Sequence, residues 1–467
     1  MATQRVRADL GTTREVVRVS VPLMLGMGGN LIMMLVNGIC LARYSEDTLR
    51  ASGPAVFAAG TVIVVITRTV GITRSYVAQA HGRKDRNATT EEGVNGLLLA
   101  LLLAVALLAA TPLMPWIAEL NGQPPHIKEL QSQFLILSTS FGAVMALNMA
   151  LSSYFNGTAR TKVPMTVALI GQGVGVLAIP GLVFGFYGLP KMGMRGSALG
   201  TLAAVSTMLA GYAICLPAGF FTSFFQVLGQ GVHRNAERLW LRLRMGAPSG
   251  GGAGLDQLGN TSFVWLAAVL GPVALAANNV VVSLNYAAVV PPIGLALGCN
   301  VLCGNAIGEG RHDKVPRIIR VTLAVAGVYV GLIAILQIAT PELLLHPFGL
   351  GNAHTAVAAS AVDAARMLWT YAVAFMFSAI ATAVLDSFGL ARFGFLARVA
   401  VMWGVSVPTI CLITLTNRGD ESLLPVIWAV YSAFELVIAA VCFWRIRRAV
   451  VGLENGLMTA PAAKAAS

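Results

Sequence analysis

Three charged side chains interrupt long apolar runs of this sequence: Asp256, Arg68 and Glu435. A charge at the centre of a membrane helix costs about 3 kcal/mol or more on insertion scales, so it indicates function by default. Asp256 is the strongest candidate, because low-dielectric surroundings disfavour its charged form. Such a carboxylate can bind a proton on one side of a bilayer and release it on the other. The predicted chemistry is ion binding and release.

Each of the three residues also has a structural interpretation. Asp256 and Arg68 could form a neutralised buried pair, or Arg68 could hold Asp256 charged until protonation breaks the pair. Glu435 is either a second protonation site or a neutral acid hydrogen-bonded to a neighbouring helix. We therefore assign the predicted ion-coupling role to Asp256 with Arg68 and Glu435, and leave the structural alternatives open.

Uncharged polar side chains in the same runs are candidates for a substrate cavity. They are Asn37, Asn30, Gln257, Asn260, Asn278, Asn279 and Tyr286. Tyr286 can offer an aromatic face to a flat lipophilic cation. For an isolated asparagine the alternative is a hydrogen bond between helices. Pro291 and Pro292 should kink their helix, which predicts a hinge there.

The composition requires lipid as the solvent around these residues. Of the 467 residues 56% are apolar and only 11% are charged, whereas a soluble domain carries about 25% charge. The apolar runs exceed the roughly 20 residues that span a bilayer. We predict an all-α integral membrane fold of twelve transmembrane helices. The predicted spans are 16–40, 53–80, 94–118, 130–156, 163–187, 194–222, 245–271, 274–304, 317–341, 360–388, 394–416 and 423–444.

The basic residues alternate between the two sides of the predicted bundle. Most of the 32 Lys and Arg residues fall in the N-terminus, the C-terminal tail and every second connection. We counted Arg392 and Arg398, around the start of the eleventh span, in this excess. The positive-inside rule then places both termini in the cytoplasm of a cell inner (plasma) membrane protein. Because topology accounts for the net charge of +12, we predict no nucleic-acid partner.

The sequence contains an internal repeat. Pro22 and Pro248, each opening a predicted span, are 226 residues apart (248 − 22), and Gly82 and Gly308 have the same separation. Two six-helix halves of equal orientation are parallel repeats, whose substrate site is expected near mid-bilayer between the lobes. The predicted domains are an N-lobe at 1–222, a basic cytoplasmic linker at 223–244 and a C-lobe with tail at 245–467.

Four segments carry a resemblance to a known family. They are Leu49–Gly53, Val77–Gly82, Phe155–Thr161 and, as the best match, Leu270–Asn279. Together they resemble the multidrug and toxic compound extrusion (MATE) family. The resemblance implies twelve helices in two lobes and export of organic cations, driven by inward proton or sodium flow.

The sequence departs from the family at two of three acidic positions. Asn37 stands where many bacterial members carry an aspartate in span one, and Phe375 stands near the place of an acid in span ten. Asp256 matches a family glutamate in span seven. The resemblance therefore implies a coupling site centred on the second lobe, and leaves the coupling ion open.

Two functions follow from these observations. The favoured one is an antiporter that exports amphipathic cations or drugs in exchange for protons or sodium by alternating access. The alternative is a flippase for a lipid-linked or anionic substrate, since a basic group such as Arg68 at mid-depth suits a pyrophosphate. An enzyme is not predicted, because the six histidines lie outside the middle of the spans and form no catalytic motif. We expect a monomer in the lipid bilayer, with no cofactor and no metal site.

Overall fold

The computed structural model describes residues 12–119, 124–229, 232–346 and 356–454, and within these ranges it contains helices and no strands. The helices are α1 Thr13–Tyr44, α2 Glu46–Gly71, α3 Thr73–Gly82, α4 Arg86–Ala109, α5 Met114–Glu119, α6 Pro125–Gly157, α7 Lys162–Phe184, α8 Met194–Cys215, α9 Ala218–Gly229, α10 Val232–Leu270, α11 Pro272–Gly308, α12 Val315–Ala339, α13 Pro341–Leu345, α14 Ala356–Ser387, α15 Ala391–Val401, α16 Val407–Thr416 and α17 Leu424–Glu454.

Ten helical stretches of the described chain are long and apolar enough to cross a membrane. The shortest is α8, whose 22 residues rise about 33 Å, enough for a hydrocarbon core of about 30 Å. Helix α1 covers the predicted span 16–40, and α10 covers the span 245–271 except for Gly271. The all-α membrane fold predicted from the sequence is confirmed.

Local sequence signals explain where several of these helices begin. Ser45 and Asp85 precede α2 and α4, and their side chains accept hydrogen bonds from the amides of Thr48 and Ala88. Each bond satisfies an amide that has no partner within the first turn of a helix. Between α10 and α11, Gly271 adopts a φ of 140°, which only glycine tolerates readily.

The chain divides into two compact units. The N-terminal unit is Leu25–Gly254, and the C-terminal unit combines Met1–Met24 with Leu255–Ser467. The chain passes from one unit to the other inside α1 and inside α10. The predicted linker, 223–244, falls largely within α9 and α10. The predicted lobes 1–222 and 245–467 therefore have different boundaries from these two units. The role of 223–244 as a linker stays a prediction.

The N-terminal unit is organised around α6, which packs against α2, α4 and α8. Apolar side chains from these helices form one of its cores, including Ile63, Phe134 and Val205. The amide of Asn148 in α6 donates a hydrogen bond to the carbonyl oxygen of Val205 in α8, at 2.8 Å. Buried polar groups of this unit are therefore used to join helices, as is common in membranes.

The C-terminal unit is organised around α14, which packs against α11, α12 and α17. The first part of α1 joins this core through Val16 and Val19, both nearly inaccessible to solvent. Gly298 of α11 lies against Ser20, where an added Cβ would meet that side chain. Small residues at this contact let the two backbones approach closely.

The two adjacent prolines of α11 do not end that helix. Pro291 and Pro292 lie inside α11, which runs from Pro272 to Gly308. Proline removes a backbone hydrogen bond and crowds the preceding turn. The hinge predicted at these two residues stays a prediction.

Candidate functional site

One face of α17 carries the central residues of a polar and aromatic cluster in the C-terminal unit. Trp428, Tyr431 and Glu435 are separated by three and four residues, so they lie on one side of the helix. The matching face of α14 carries Tyr371 and Ser378, separated by seven residues. The rings of Tyr371 and Tyr431 stack at 5.3 Å between centroids and 8° between planes. The two helices are thus held in register at this level.

Glu435 is a buried acid whose two oxygens both accept hydrogen bonds. Its side chain is only 6% exposed. Nη1 of Arg398 in α15 lies 3.2 Å from Oε1, and the hydroxyl of Ser378 donates to Oε2 at 2.5 Å. A buried carboxylate requires such partners, because removing an ionised carboxylate from water without them costs on the order of several kcal/mol.

Arg398 also contacts Asp256. Its Nε lies 3.1 Å from Oδ2 of Asp256, and its side chain is 12% exposed. One guanidinium therefore joins two carboxylates from two other helices, α10 and α17. The fixed fork of N–H donors makes arginine suited to such bridging. We call Asp256, Arg398 and Glu435 the charged triad.

A close helix contact positions Asp256 beside Arg398. Gly259 lies one turn after Asp256 on α10, and Met402 lies one turn after Arg398. An added Cβ on Gly259 would collide with the terminal methyl group of Met402. Because glycine leaves that space open, the Met402 side chain can pack directly on α10. The two charged residues are then at the same level of the contact.

The helix that carries Arg398 is locally wider than an α-helix. Between α15 and α16, Met402–Ser406 form a π-helical turn, and Pro408 occupies the first turn of α16. Pro408 has no N–H group to continue the regular ladder. Single π turns inside α-helices are frequent at functional sites. The turn begins four residues after Arg398.

An aromatic layer covers the triad toward α10 and α11. Phe263 lies two turns after Asp256 on α10 and packs on Tyr431 at 5.3 Å and on Trp428 at 5.0 Å between ring centroids. The indole N–H of Trp428 donates to Oδ1 of Asn278 at 3.2 Å. Asn278 is fully buried, so the predicted cavity residue is part of this layer.

The two acids of the triad differ in access. The Asp256 side chain is 31% exposed, whereas that of Glu435 is 6% exposed. With both acids ionised, the triad carries one net negative charge, since one guanidinium faces two carboxylates. This arrangement can be neutralised by one proton or one monovalent cation, and Asp256 is the acid whose side chain is partly exposed.

Other predicted residues of this unit lie outside the triad. Gln257 is half-buried, and Tyr286 is exposed with 44% of its surface accessible. Phe375, near the place where the family resemblance implies an acid, stacks on Tyr371 at 5.8 Å between centroids. The side chains of Asn260 and Asn279, and of Asn30 in the other unit, lie outside the described residues.

The N-terminal unit holds neutral polar contacts at the predicted positions. The hydroxyl of Ser197 in α8 donates to Oδ1 of Asn37 in α1 at 2.6 Å. This contact fits the interpretation of an asparagine that joins two helices. Arg68 lies in the last turn of α2 with an exposed side chain. The cation that contacts Asp256 within its own unit is Arg398.

Arg398 is the site residue that the sequence analysis missed. The basic excess predicts a cytoplasmic position for it, but its side chain is mostly buried and contacts two carboxylates. A long basic side chain near the end of a span can reach the membrane surface. The positive-inside rule therefore explained Arg398 without any role in the site. Arg398 lies four residues inside the predicted span 394–416, and this position is the sequence feature that could have indicated a role in the site.

Comparison with known proteins settles the family. The sequence profile of the MatE family matches residues 22–180 and 249–412, which together make up more than half of the chain. The chain belongs to the MatE family. Because the same profile matches once in each half, the predicted internal repeat is confirmed, as is the resemblance noted in the sequence.

Relatives of known name span nearly the whole chain. The probable multidrug resistance protein NorM of Pseudomonas putida is 27% identical over 451 residues, covering 93% of this chain and 95% of that protein. The probable multidrug resistance protein YoeA of Bacillus subtilis is 23% identical and covers 83% of this chain and 84% of its own.

The fold is also that of solved transporters. An outward-facing multidrug resistance MATE family transporter of the MOP superfamily superposes with a TM-score of 0.83 at 18% identity, covering 94% of this chain and 96% of that one. A MOP superfamily transporter from Pyrococcus furiosus, described as having a binding pocket of reverse polarity, also gives 0.83 at 18% identity, with coverage of 95% and 96%. This MatE chain is a multi-pass membrane transporter and not an enzyme, as predicted.

Proposed function

We propose that this MatE protein is a secondary active antiporter that exports organic cations in exchange for protons or sodium by alternating access. The observation that carries the proposal is the partly exposed carboxylate of Asp256, bound to Arg398 beside the buried Glu435. An ionisable group inside a membrane span marks an ion or substrate pathway by default.

The charge of the triad supports exchange. Two carboxylates and one guanidinium leave one negative charge, which one proton or one monovalent organic cation neutralises. Occupation by both would place an excess positive charge in a low-dielectric region, which is costly. Binding of one therefore favours release of the other, and alternating exposure of the site converts this competition into counterflow.

The names of the relatives support a drug-like substrate. NorM and YoeA are both described as multidrug resistance proteins. We place the protein in a bacterial inner membrane with both termini cytoplasmic, on the distribution of its basic residues. We propose that it acts as a monomer.

Ethidium uptake by everted membrane vesicles tests the proposal. Vesicles containing the wild type should accumulate ethidium when a proton or a sodium gradient is imposed, and Asp256→Asn should abolish the gradient-driven part. Asp363→Asn is the matched control, because Asp363 is an exposed acid of α14 in the same unit. Equal uptake by Asp256→Asn and the wild type would refute the role of Asp256.

A flippase for a lipid-linked or anionic substrate is the second candidate. The feature that favours it is Arg68, whose exposed guanidinium lies within a membrane-spanning stretch. Absence of ethidium uptake under both gradients, with the protein correctly inserted, would reject the cation antiporter. The next substrates to test would then be anionic lipids, with Arg68→Ala as the variant.

A further inference from the structure

We propose that Arg398 makes this transporter selective for protons over sodium, because its guanidinium already holds the place that a coupling metal cation would take between Asp256 and Glu435. This inference rests on the proposed antiport function and names the ion that drives it. Its basis is the arrangement of donors around the two acids.

Oδ2 of Asp256 and both oxygens of Glu435 are already bound by N–H and O–H donors, and Oδ1 of Asp256 is buried. Arg398 contacts Oδ2 of Asp256 at 3.1 Å and Oε1 of Glu435 at 3.2 Å. The hydroxyl of Ser378 donates to the second oxygen of Glu435. A hard cation binds through several oxygen ligands at once. Sodium would have to displace the guanidinium to obtain them.

The described part of the chain holds no larger cluster of metal-ligating side chains. There, no group of three or more His, Cys, Asp or Glu side chains lies close enough together to hold a metal ion. Among the described residues, the other ionisable groups near the triad include the phenols of Tyr371 on α14 and Tyr431 on α17 and the thiol of Cys442 on α17. These residues add no negative charge while protonated.

A proton needs only one oxygen and leaves the rest of the triad intact. Protonation converts the Asp256 carboxylate to a neutral carboxyl group, and Arg398 remains paired with the Glu435 carboxylate. The triad then carries no net charge, and the buried ion pair is preserved. We assign the proton to Asp256, because both oxygens of Glu435 already accept hydrogen bonds and the Asp256 side chain is the less buried of the two, 31% against 6% exposed.

Removing the guanidinium of Arg398 should allow sodium to drive transport. Arg398→Met keeps a side chain of similar length and leaves two carboxylates without their shared cation, which creates a site that a sodium ion can enter. Arg392→Met is the matched control, because Arg392 is exposed on the same helix. The readout is ethidium uptake by everted vesicles under one of two gradients. The vesicle interior is either more acidic than the outside solution, or it contains sodium at the same pH as the outside solution.

In the wild type and Arg392→Met, the proton gradient should drive uptake, and the sodium gradient should leave uptake at the level without a gradient. In Arg398→Met, sodium-driven uptake should appear. Sodium-driven uptake by the wild type would overturn the inference but leave the antiporter intact. Absence of uptake under either gradient in the wild type would instead reject the proposed function, and with it this inference.

A second measurement covers the case in which Arg398→Met inserts poorly into vesicles. Purified protein in detergent is heated in sodium chloride and in choline chloride of the same ionic strength. Sodium should raise the unfolding temperature of Arg398→Met and not that of the wild type, because a ligand stabilises the state that binds it. A sodium-specific rise in the wild type would overturn the inference.

Discussion

The two units of this transporter carry different polar chemistry on related helices. In the N-terminal unit, Asn37 accepts a hydrogen bond from Ser197, and the amide of Gln172 donates to the carbonyl oxygen of Gly26 at 3.0 Å. Both contacts are neutral. In the C-terminal unit, Arg398 joins two acids. The two units therefore differ at these contacts, neutral in one and charged in the other, although the N-terminal unit also has ion pairs between α4 and α10, Arg238–Glu91 and Arg242–Glu92.

This difference indicates which unit can respond to an ion. A neutral hydrogen bond between helices contributes about 0.5–1.5 kcal/mol and changes little when a proton or cation arrives. A buried charged group is far more sensitive. Its interaction free energy changes by about 3–5 kcal/mol when the charge of its partner is removed. We therefore propose that ion coupling resides in the C-terminal unit and that the neutral contacts of the N-terminal unit serve as a framework.

The largest effect on stability should follow removal of the shared cation. Arg398→Met leaves Glu435 buried without its guanidinium, which should cost about 3–5 kcal/mol of stability. Thermal unfolding in detergent should show a lower midpoint, with Arg392→Met unchanged. Adding Glu435→Gln to Arg398→Met should recover part of the loss. An unchanged unfolding midpoint for Arg398→Met would mean that the triad contributes no more to stability than the neutral hydrogen bonds of the N-terminal unit.

A smaller effect should follow interference with the contact that positions Asp256. Gly259→Val places a side chain against Met402 and separates α10 from the π turn, which should cost about 1–3 kcal/mol as an overpacked contact. Thermal unfolding and ethidium uptake should both decrease. The matched control is Gly327→Val on α12, where nothing lies within 4 Å of an added Cβ. Equal results for the two variants would contradict the positioning role of Gly259.

In the N-terminal unit the corresponding change should be mild. Asn37→Ala removes the hydrogen bond from Ser197, with an expected cost of about 0.5–1.5 kcal/mol. Uptake of ethidium should persist, because no charge is lost. If Asn37→Ala abolished uptake while the protein remained inserted, coupling could not be assigned to the C-terminal unit alone.

The smallest effect should come from an exposed ion pair at the start of α10. Arg238 contacts Glu91 with side chains 26% and 36% exposed, whereas Arg242 contacts Glu92 with side chains 7% and 14% exposed. Arg238→Gln should change stability by about 0.2–1 kcal/mol. Arg242→Gln should lower the unfolding midpoint further. The opposite order would show that exposure does not determine the strength of these pairs.

The sequence predicted the helices and the repeat well, because apolar runs of membrane-spanning length need no tertiary information to be recognised. It also singled out Asp256 and Glu435, since a charge inside a span is conspicuous. The identity of their shared partner could not be predicted. Arg398 lies four residues inside an apolar span and near a basic connection, where topology alone can explain it. Only the packing of α10, α15 and α17 brings it to the acids.

Proton release on substrate binding tests the central claim most directly. Purified protein in weakly buffered detergent solution is mixed with ethidium, and the pH change is recorded. We expect the wild type and Asn37→Ala to release protons as ethidium binds, whereas Asp256→Asn, whose triad has no net charge and no proton to exchange at this position, should release none. Equal proton release by Asp256→Asn would contradict the assignment of coupling to Asp256 in the C-terminal unit.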